Sequence, residues 1–171
     1  MECINVQPLV GCGVLRFGMT REEVEQLLGP GHYDDDLNPA QYYGWFRDWS
    51  VHIGFRDGRV YEIELADSIG EWADVMLGDI HVFHDKAEDV VAALEGQAAC
   101  SWEFPDKELS TTYEFPELGV SLWRESAFHP KLYEDPEYLQ EFQSMSSEQQ
   151  EDELRFWHFQ SLCLQAEPLT P

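Results

Sequence analysis

The first regular pattern of apolar and polar residues predicts a short helix over residues 20–28. Thr20 is placed to cap its first turn, and Glu23 is placed to bond back to the amide of Thr20, as in a capping box. Gly29-Pro30 then ends the helix, because glycine favours the left-handed C-terminal position and proline cannot continue the hydrogen-bond ladder. The narrow apolar face consists of Val24, Leu27 and Leu28.

A β region is predicted after this helix. The segment 41–50 is rich in aromatic residues, which strands favour, and every second residue of 51–55 is apolar. Asp57-Gly58 is a strong hairpin signal, so 60–65 is predicted to be the return strand. The chain therefore begins with a helix that leads into a β-meander. The apolar positions of the last two strands are Val51, Ile53 and Phe55, followed by Val60, Ile63 and Leu65.

The same pattern is predicted a second time further along the chain. The apolar residues of the two helices match at an offset of 66, from Val24 to Val90, and Asp85 is the expected cap of the second helix at an offset of 65. The segment 112–123 resembles 52–63 at an offset of 60. The alternative is two ordinary helix-to-hairpin passages that do not form a repeat. The predicted repeat units are 13–65 and 78–124.

The last third of the chain is predicted to be a helical extension over 130–165. Asp135-Pro136 has the residue types of a cap and a first helical position, and Ser146-Ser147 is placed to cap a last helix with Cys163 or Leu164 facing inward. The predicted fold class is therefore α+β: an antiparallel sheet with helices packed on one face, in two tandem α-β-β units, with further helices at the C-terminus.

Composition supports one domain over residues 1–171 and gives it a strong charge. Hydrophobic residues make up 43% of the chain, which is enough for one compact core. Lys and Arg number 10 against 34 Asp and Glu, so the net charge is 10 − 34 = −24. This field repels nucleic acid and anionic membranes and attracts a basic partner. The alternative is an acidic surface that serves only solubility.

The location predicted from the sequence is cytoplasmic. The N-terminus lacks the basic and apolar regions of a secretion signal, and no apolar run approaches the ~18 residues of a membrane span. The cysteines have no CxxC spacing and are expected to be reduced thiols. They are Cys3, Cys12, Cys100 and Cys163.

Two patterns imitate metal sites, and neither predicts one. His81 and His84 lie beside Asp85, with His129 as a possible third imidazole, but the tighter ligand spacing of zinc sites is missing. Asp34-x-Asp36-x-Asn38 imitates a calcium loop, yet the positions that need glycine and glutamate do not carry them. No metal is therefore expected. The residues at those two positions are Pro39 and Trp45.

Catalytic and cofactor motifs are not found, so no catalytic residue and no cofactor are predicted. No serine lies in a G-x-S-x-G motif, Cys12 lacks a papain-like context, and Gly11-x-Gly13 lacks the third glycine of a dinucleotide site. A hydrolase whose carboxylate and histidine come together from distant parts of the chain stays open as an alternative.

The best candidate for a contact surface is the aromatic segment after the first helix, together with the acidic loop before it. Alternation along a strand places some of these side chains opposite the core, and exposed Tyr and Trp are typical of protein interfaces. The alternative is that the aromatic residues pack in the core. The predicted partner-binding residues are Tyr42, Tyr43, Trp45 and Trp49, with Asp34, Asp35 and Asp36.

Residues 17–29, with Phe17-Gly18-Met19-Thr20 at their start, and the later segment 55–60 resemble the G-M-T-x-x-x-V-x-x-x-x-G opening and β-meander of a group of small α/β proteins. The group includes β-lactamase inhibitor proteins, the small lipoprotein of the β-barrel assembly machinery and immunity-like proteins of bacterial toxin systems. The resemblance implies tandem units and, from the inhibitors, an aromatic-rich sheet that grips an enzyme. The sequence departs from the group, because it shows no secretion signal, no lipobox cysteine and no evident disulfide pairing.

These observations lead to the expectation of a non-enzymatic protein that binds a basic protein through its sheet. The partner expected is a bacterial toxin, which an immunity or inhibitor protein neutralises by occlusion. No nucleic-acid or membrane partner is expected. The alternatives are a structural or regulatory module without an inhibitory role, and the hydrolase described above.

Overall fold

The structure is a computed structural model that describes residues 1–34 and 38–170, and it confirms the predicted α+β class. No helix within these residues is long and apolar enough to cross a membrane. The α-helices are α1 (Arg21–Leu28), α2 (Ala87–Glu95), α3 (Pro136–Ser144) and α4 (Ser147–Arg155). The strands are β1 (Glu2–Gln7), β2 (Gly11–Cys12), β3 (Leu15–Arg16), β4 (His32–Tyr33), β5 (Gln41–Phe46), β6 (Val51–Arg56), β7 (Arg59–Ala66), β8 (Ala73–Leu77), β9 (Ile80–His81), β10 (Ser101–Trp102), β11 (Thr112–Phe115), β12 (Val120–Trp123) and β13 (Ser161–Gln165).

The strands form two sheets in the described part of the chain. The large sheet has the order β10-β11-β12-β13-β7-β6-β5-β4, and all of its neighbours pair antiparallel. The small sheet has the order β3-β2-β1-β8-β9, in which β1 and β8 run parallel. This parallel pairing joins the N-terminus to the middle of the chain.

Helix α1 forms as the sequence predicts. Thr20 accepts a hydrogen bond from the amide of Glu23, and the carboxylate of Glu23 accepts one from the amide of Thr20, so the capping box is complete. Val24 is fully buried. The helix is held by this packing, because eight residues are too few for a stable isolated helix.

The core lies between one face of the large sheet and the helices α1 and α2. Val24 of α1 and Val90 and Leu94 of α2 belong to the same buried cluster as alternate residues of the central strands. The helices therefore cover one face of the large sheet, as predicted. The sheet residues of this cluster include Ile53, Ile63, Phe115, Leu122 and Leu164.

The start of α2 differs from the prediction. Its N-terminal flanking residue is Lys86, and the carboxylate of Asp85 instead accepts the amide hydrogen of His81. Measured from Thr20 to Lys86, the offset between the two helix starts is 86 − 20 = 66, which equals the offset of their apolar residues.

Each of the helices α1 and α2 is followed by four strands of the large sheet. Strands β4 to β7 follow α1, strands β10 to β13 follow α2, and the two sets meet where β7 pairs with β13. If the strands are matched by their order after each helix, β11 and β12 correspond to β5 and β6. The sequence match at an offset of 60 instead makes them correspond to β6 and β7. The tandem repeat of 13–65 and 78–124 stays a prediction.

The predicted helical extension over 130–165 is wrong in its last part. Helix α4 ends at Arg155, and Ser161–Gln165 forms β13 in the middle of the large sheet. Leu162 and Leu164 are buried on the core face, with Cys163 between them on the other face. The alternation of Leu162, Cys163 and Leu164 did not indicate a strand in the sequence, because leucine favours helices. The pairing of the segment with β7 and β12 is what makes it a strand.

The segment that carries α3 and α4 packs beside α2. Trp157 donates its indole N–H to the carboxylate of Glu88 at 2.9 Å, and its carbonyl accepts the amide hydrogen of Ala87. Phe128 contacts Trp157 edge to face and begins a small aromatic cluster with α3. The segment 125–160 between β12 and β13, called the insertion below, therefore lies on the helix side of the large sheet. The other members of this cluster are Tyr133, Tyr138 and Phe142.

Arg124 anchors the insertion to the large sheet. Its side chain is about 1% exposed and donates to backbone carbonyls at both ends of the insertion and in the preceding loop. No carboxylate of the described residues lies within ion-pair distance of it, and burial lowers its pKa. The acceptors are the carbonyls of Ser110 (3.1 Å), Phe156 (2.9 Å), Phe128 (3.4 Å) and Glu108 (2.8 Å), and the hydroxyl of Tyr113 (3.2 Å).

Replacement of Arg124 is expected to destabilise the protein strongly. Arg124→Met keeps the apolar stem but leaves several buried carbonyls without a donor, so the free energy of unfolding should fall by about 3 kcal/mol or more. Urea denaturation measures it, with Arg56→Met on the exposed end of β6 as the control, expected to change by less than about 1 kcal/mol. Equal effects of the two substitutions would contradict this role.

Candidate functional site

The face of the large sheet that points away from α1 and α2, called the open face here, carries an unbroken row of side chains. Residues that are paired directly across antiparallel strands share a face, so the strand register defines the row. It crosses all strands of the large sheet in the described residues. In order, its members are Ser101, Glu114, Ser121, Cys163, Glu64, His52, Trp45 and His32.

One end of the open face is an aromatic cluster, formed by Tyr43, Trp45, Trp49, His52 and His32. His52 lies with its ring 4.9 Å from both Tyr43 and Trp45, and it stacks on Trp45. Trp49 stacks on His32 and tilts against Trp45, at 5.5 Å from each. Trp49 is 60% exposed, whereas Tyr43, Trp45 and His52 are half-buried, so the cluster presents the ring of Trp49 to solvent.

The structure corrects one of the four predicted aromatic binding residues and places the other three on the open face. Tyr43, Trp45 and Trp49 lie on the open face, whereas Tyr42 is 8% exposed on the core face, where it stacks on Phe55 at 5.0 Å. Alternation along β5 requires this, because Tyr42 and Tyr43 are neighbours in a strand.

The acidic part of the predicted site is placed only at Asp34. Its carboxylate accepts the amide hydrogen of Tyr43, which holds Asp34 against β5. Asp35 and Asp36 lie outside the described residues.

A β-bulge adds a residue that the sequence pattern did not reveal. The register shifts at Gly54 and Phe55, so that Tyr61 is the extra residue of β7 and joins Glu62 on the open face. The hydroxyls of Tyr61 and Tyr43 lie 2.9 Å apart. Gly54 is required beneath them, because a Cβ there would lie 2.9 Å from the Tyr61 ring. The only sequence sign of the bulge is the broken alternation between Val60 and Ile63.

The carboxylates of Glu62 and Glu64 lie at the centre of the open face, two residues apart along β7. Burial raises the pKa of Glu62, whereas a hydrogen bond from His52 lowers the pKa of Glu64. Gln165 donates to Glu62 at 3.2 Å, and Ser161 donates to Glu64 at 2.8 Å. The two carboxylates therefore differ in their ease of protonation although they are neighbours.

Glu62, Glu64 and Cys163 form the group of metal-type ligand atoms that lie within 4.8 Å of one another in the described residues. Burial and the two carboxylates raise the pKa of the Cys163 thiol. The thiol is therefore protonated at neutral pH, and a cation bound here would have to displace that proton.

His81 and His129 each face a different carboxylate in the described part of the chain. The ring of His81 donates to Asp74 at 2.7 Å, and His129 faces Glu88 at 3.8 Å through its Nε2 atom. The interpretation of His81, His84 and His129 as ligands of one metal gains no support, because the ligand group above contains none of them.

A serine, a histidine and a glutamate meet on the open face, but not in the order of a catalytic triad. His52 Nδ1 donates to Glu64 at 3.4 Å, and the hydroxyl of Ser161 also donates to Glu64. A serine nucleophile requires its hydroxyl to donate to the histidine instead. The buried His52 Nε2 has no partner among the described residues.

The turn between β5 and β6 has an unusual backbone. Arg47, Asp48 and Trp49 have successive φ angles of 50°, 52° and 70°, in the left-handed region that non-glycine residues rarely adopt. The backbone N–H and the hydroxyl of Ser50 both donate to the carbonyl of Arg47 and close the turn. The turn sends Trp49 to the open face and Arg47 towards Trp72, whose ring lies 5.5 Å from the guanidinium.

Replacement of Asp48 by glycine is expected to stabilise the protein. Glycine adopts the left-handed conformation without steric cost, so Asp48→Gly should raise the free energy of unfolding by about 1 kcal/mol. Asp79→Gly is the control in urea denaturation, because Asp79 is an exposed turn residue with ordinary φ, and it should be neutral or destabilising. A lower free energy of unfolding in Asp48→Gly would contradict the claim that the backbone of this turn is strained.

Opposite pH effects are expected from Glu62→Gln and Glu64→Gln. The raised pKa of Glu62 means that its ionisation opposes folding, so Glu62→Gln should stabilise at pH 7, and the gain should vanish as the pH falls through the raised pKa. The lowered pKa of Glu64 means the reverse: Glu64→Gln should destabilise at pH 7, and the loss should shrink below pH 4.5. Denaturation at pH 7, 5 and 3.5 measures both, and effects of the same sign would contradict the assignment.

No family model, no curated protein and no solved structure matches this chain. The resemblance to inhibitor, assembly-lipoprotein and immunity-like proteins is therefore neither supported nor refuted.

Proposed function

We propose that the open face binds another protein that carries a basic surface. The observation that supports this most is the aromatic cluster, because its side chains lie on a sheet face that α1 and α2 leave uncovered. Large exposed aromatic residues beside acidic ones are uncommon on surfaces that face only water, and they are common in protein interfaces.

The aromatic cluster supplies the central contacts in this proposal. Trp45 and Trp49 are rigid and amphipathic, and their mutual contacts hold them in place before a partner arrives. Little side-chain entropy is then lost on binding, which favours affinity. Trp123 extends the apolar surface to the other half of the open face, where it is 44% exposed.

The charge supplies attraction and orientation. The chain has a net charge of −24, and Glu62, Glu64 and Glu114 lie on the open face itself. A field of this kind speeds the approach of a basic partner and disfavours acidic ones. Lys and Arg side chains of the partner would pair with these carboxylates and lie over the aromatic rings.

The class of partner that fits best is a basic toxin, and the protein would act as its immunity or inhibitor protein by covering the toxin's site. This rests on the open face together with the resemblance of the helix α1 and hairpin region. A structural or regulatory module would bind no toxin, so loss of toxicity in the presence of this protein separates the two functions.

Affinity capture tests the binding proposal. The tagged protein should retain one stoichiometric basic protein from its native cells at 50 mM salt, and the double variant Trp45→Ala/Trp49→Ala should retain at least about tenfold less. Trp102→Ala is the matched control, because Trp102 is exposed but pairs with the buried Tyr113 and so lies on the helix side. Equal capture by both variants would contradict the role of the open face.

The captured partner then tests the function itself. Its association rate should fall by about tenfold or more between 50 and 500 mM salt, because steering is screened. The partner should be toxic when it is expressed alone and harmless when this protein is co-expressed. A salt-independent rate would contradict the electrostatic part, and a harmless partner would contradict the immunity part.

A further inference from the structure

A separate cavity lies on the helix side of the large sheet, away from the open face. Its volume is about 150 Å³, and its walls come from β1 to β3, the last turn of α1 and the core face of β6 and β7. The floor is formed by buried apolar side chains, and the mouth opens beside exposed Val14 and Leu27. The floor residues include Ile4, Leu15, Val51 and Leu65.

The size and lining of this cavity fit a small apolar group. An apolar cavity of about 150 Å³ is large enough to take a benzene-sized molecule and too poor in polar partners to hold ordered water well. Ligand sites are typically apolar with a few polar groups that orient the ligand. The cavity therefore defines where the apolar part of a ligand would lie.

The polar groups at the mouth define the other part of the ligand. Arg47 lines the cavity, and no carboxylate of the described residues lies within 4.0 Å of its guanidinium. It reaches this position from the left-handed turn between β5 and β6. Glu2 also lines the cavity, without forming an ion pair with Arg47. The Arg47 guanidinium lies 5.5 Å from the ring of Trp72, which also lines the cavity, so the cation is held beside an apolar wall rather than against a carboxylate.

We propose that this cavity binds a small monocarboxylic acid with one apolar or aromatic group, whose carboxylate pairs with Arg47. The planar guanidinium accepts a carboxylate through two parallel hydrogen bonds, which fixes the orientation of the ligand. The apolar group fills the cavity beneath it. This site is independent of the open face and of the proposed protein partner.

Titration with three ligands that share a benzyl group and differ in the charge of their polar group tests the charge preference. Phenylacetate, benzyl alcohol and benzylamine are added to the full chain, and the methyl resonances of Leu15, Leu28 and Val51 are followed by NMR. Phenylacetate should bind at least about tenfold more tightly than either of the others. Tighter binding of benzylamine would mean that Glu2, rather than Arg47, pairs with the ligand, and it would overturn the proposal. The absence of any change in these methyl resonances at millimolar phenylacetate would also overturn it.

Matched variants locate the site. Arg47→Gln should remove the preference for phenylacetate, whereas Arg56→Gln removes an equal charge from outside the cavity and should keep it. Val14→Trp should block the mouth, whereas Val10→Trp adds the same bulk at an exposed position that does not line the cavity. The proposal is overturned if Arg47→Gln and Val14→Trp fold and bind phenylacetate as their controls do.

Discussion

The pairing of β7 with β13 is the constraint on which the rest of the structure depends. It joins the strands that follow α1 to those that follow α2, over a register that runs from Ala66 opposite Ser161 to Glu62 opposite Gln165. Because of it, the sheet is continuous and one face can be buried under both helices while the other stays open. It also brings Cys163 beside Glu64 from a distant part of the chain.

The two faces of this sheet carry different types of side chain. The difference follows from the alternation of side chains along each strand, which one β-bulge interrupts. The core face is apolar and buried, whereas the open face carries aromatic rings, carboxylates and small polar groups. The bulge at Tyr61 turns two successive residues to the open face and allows Tyr61 to meet Tyr43 above Gly54. Burial on one side thus supplies the rigidity with which the other side presents its aromatic surface.

The sequence predicted the parts of the fold that depend on neighbouring residues. Helix α1, the Asp57-Gly58 hairpin and the alternation of β6 follow from local pattern, and all are present. Strand β13 was predicted as helix because leucine gives no local sign of a central strand. The parallel pairing of β1 with β8, the acceptors of Arg124 and the left-handed turn at Arg47 depend on distant contacts, so periodicity could not reveal them.

The candidate site was predicted only in part for the same reason. Local composition identified Trp45 and Trp49, but it could not separate Tyr42 from Tyr43 without knowing which face is buried. Glu64 and His52 become part of the site only through register.

Oxidative footprinting of tryptophan side chains in the complex with the captured partner tests the central claim most directly, since tryptophans lie on both sides of the large sheet. Binding at the open face predicts that Trp45, Trp49 and Trp123 lose reactivity while Trp102 keeps it. Protection of Trp102 with unchanged reactivity at Trp45 and Trp49 would place the partner on the helix side and contradict the account.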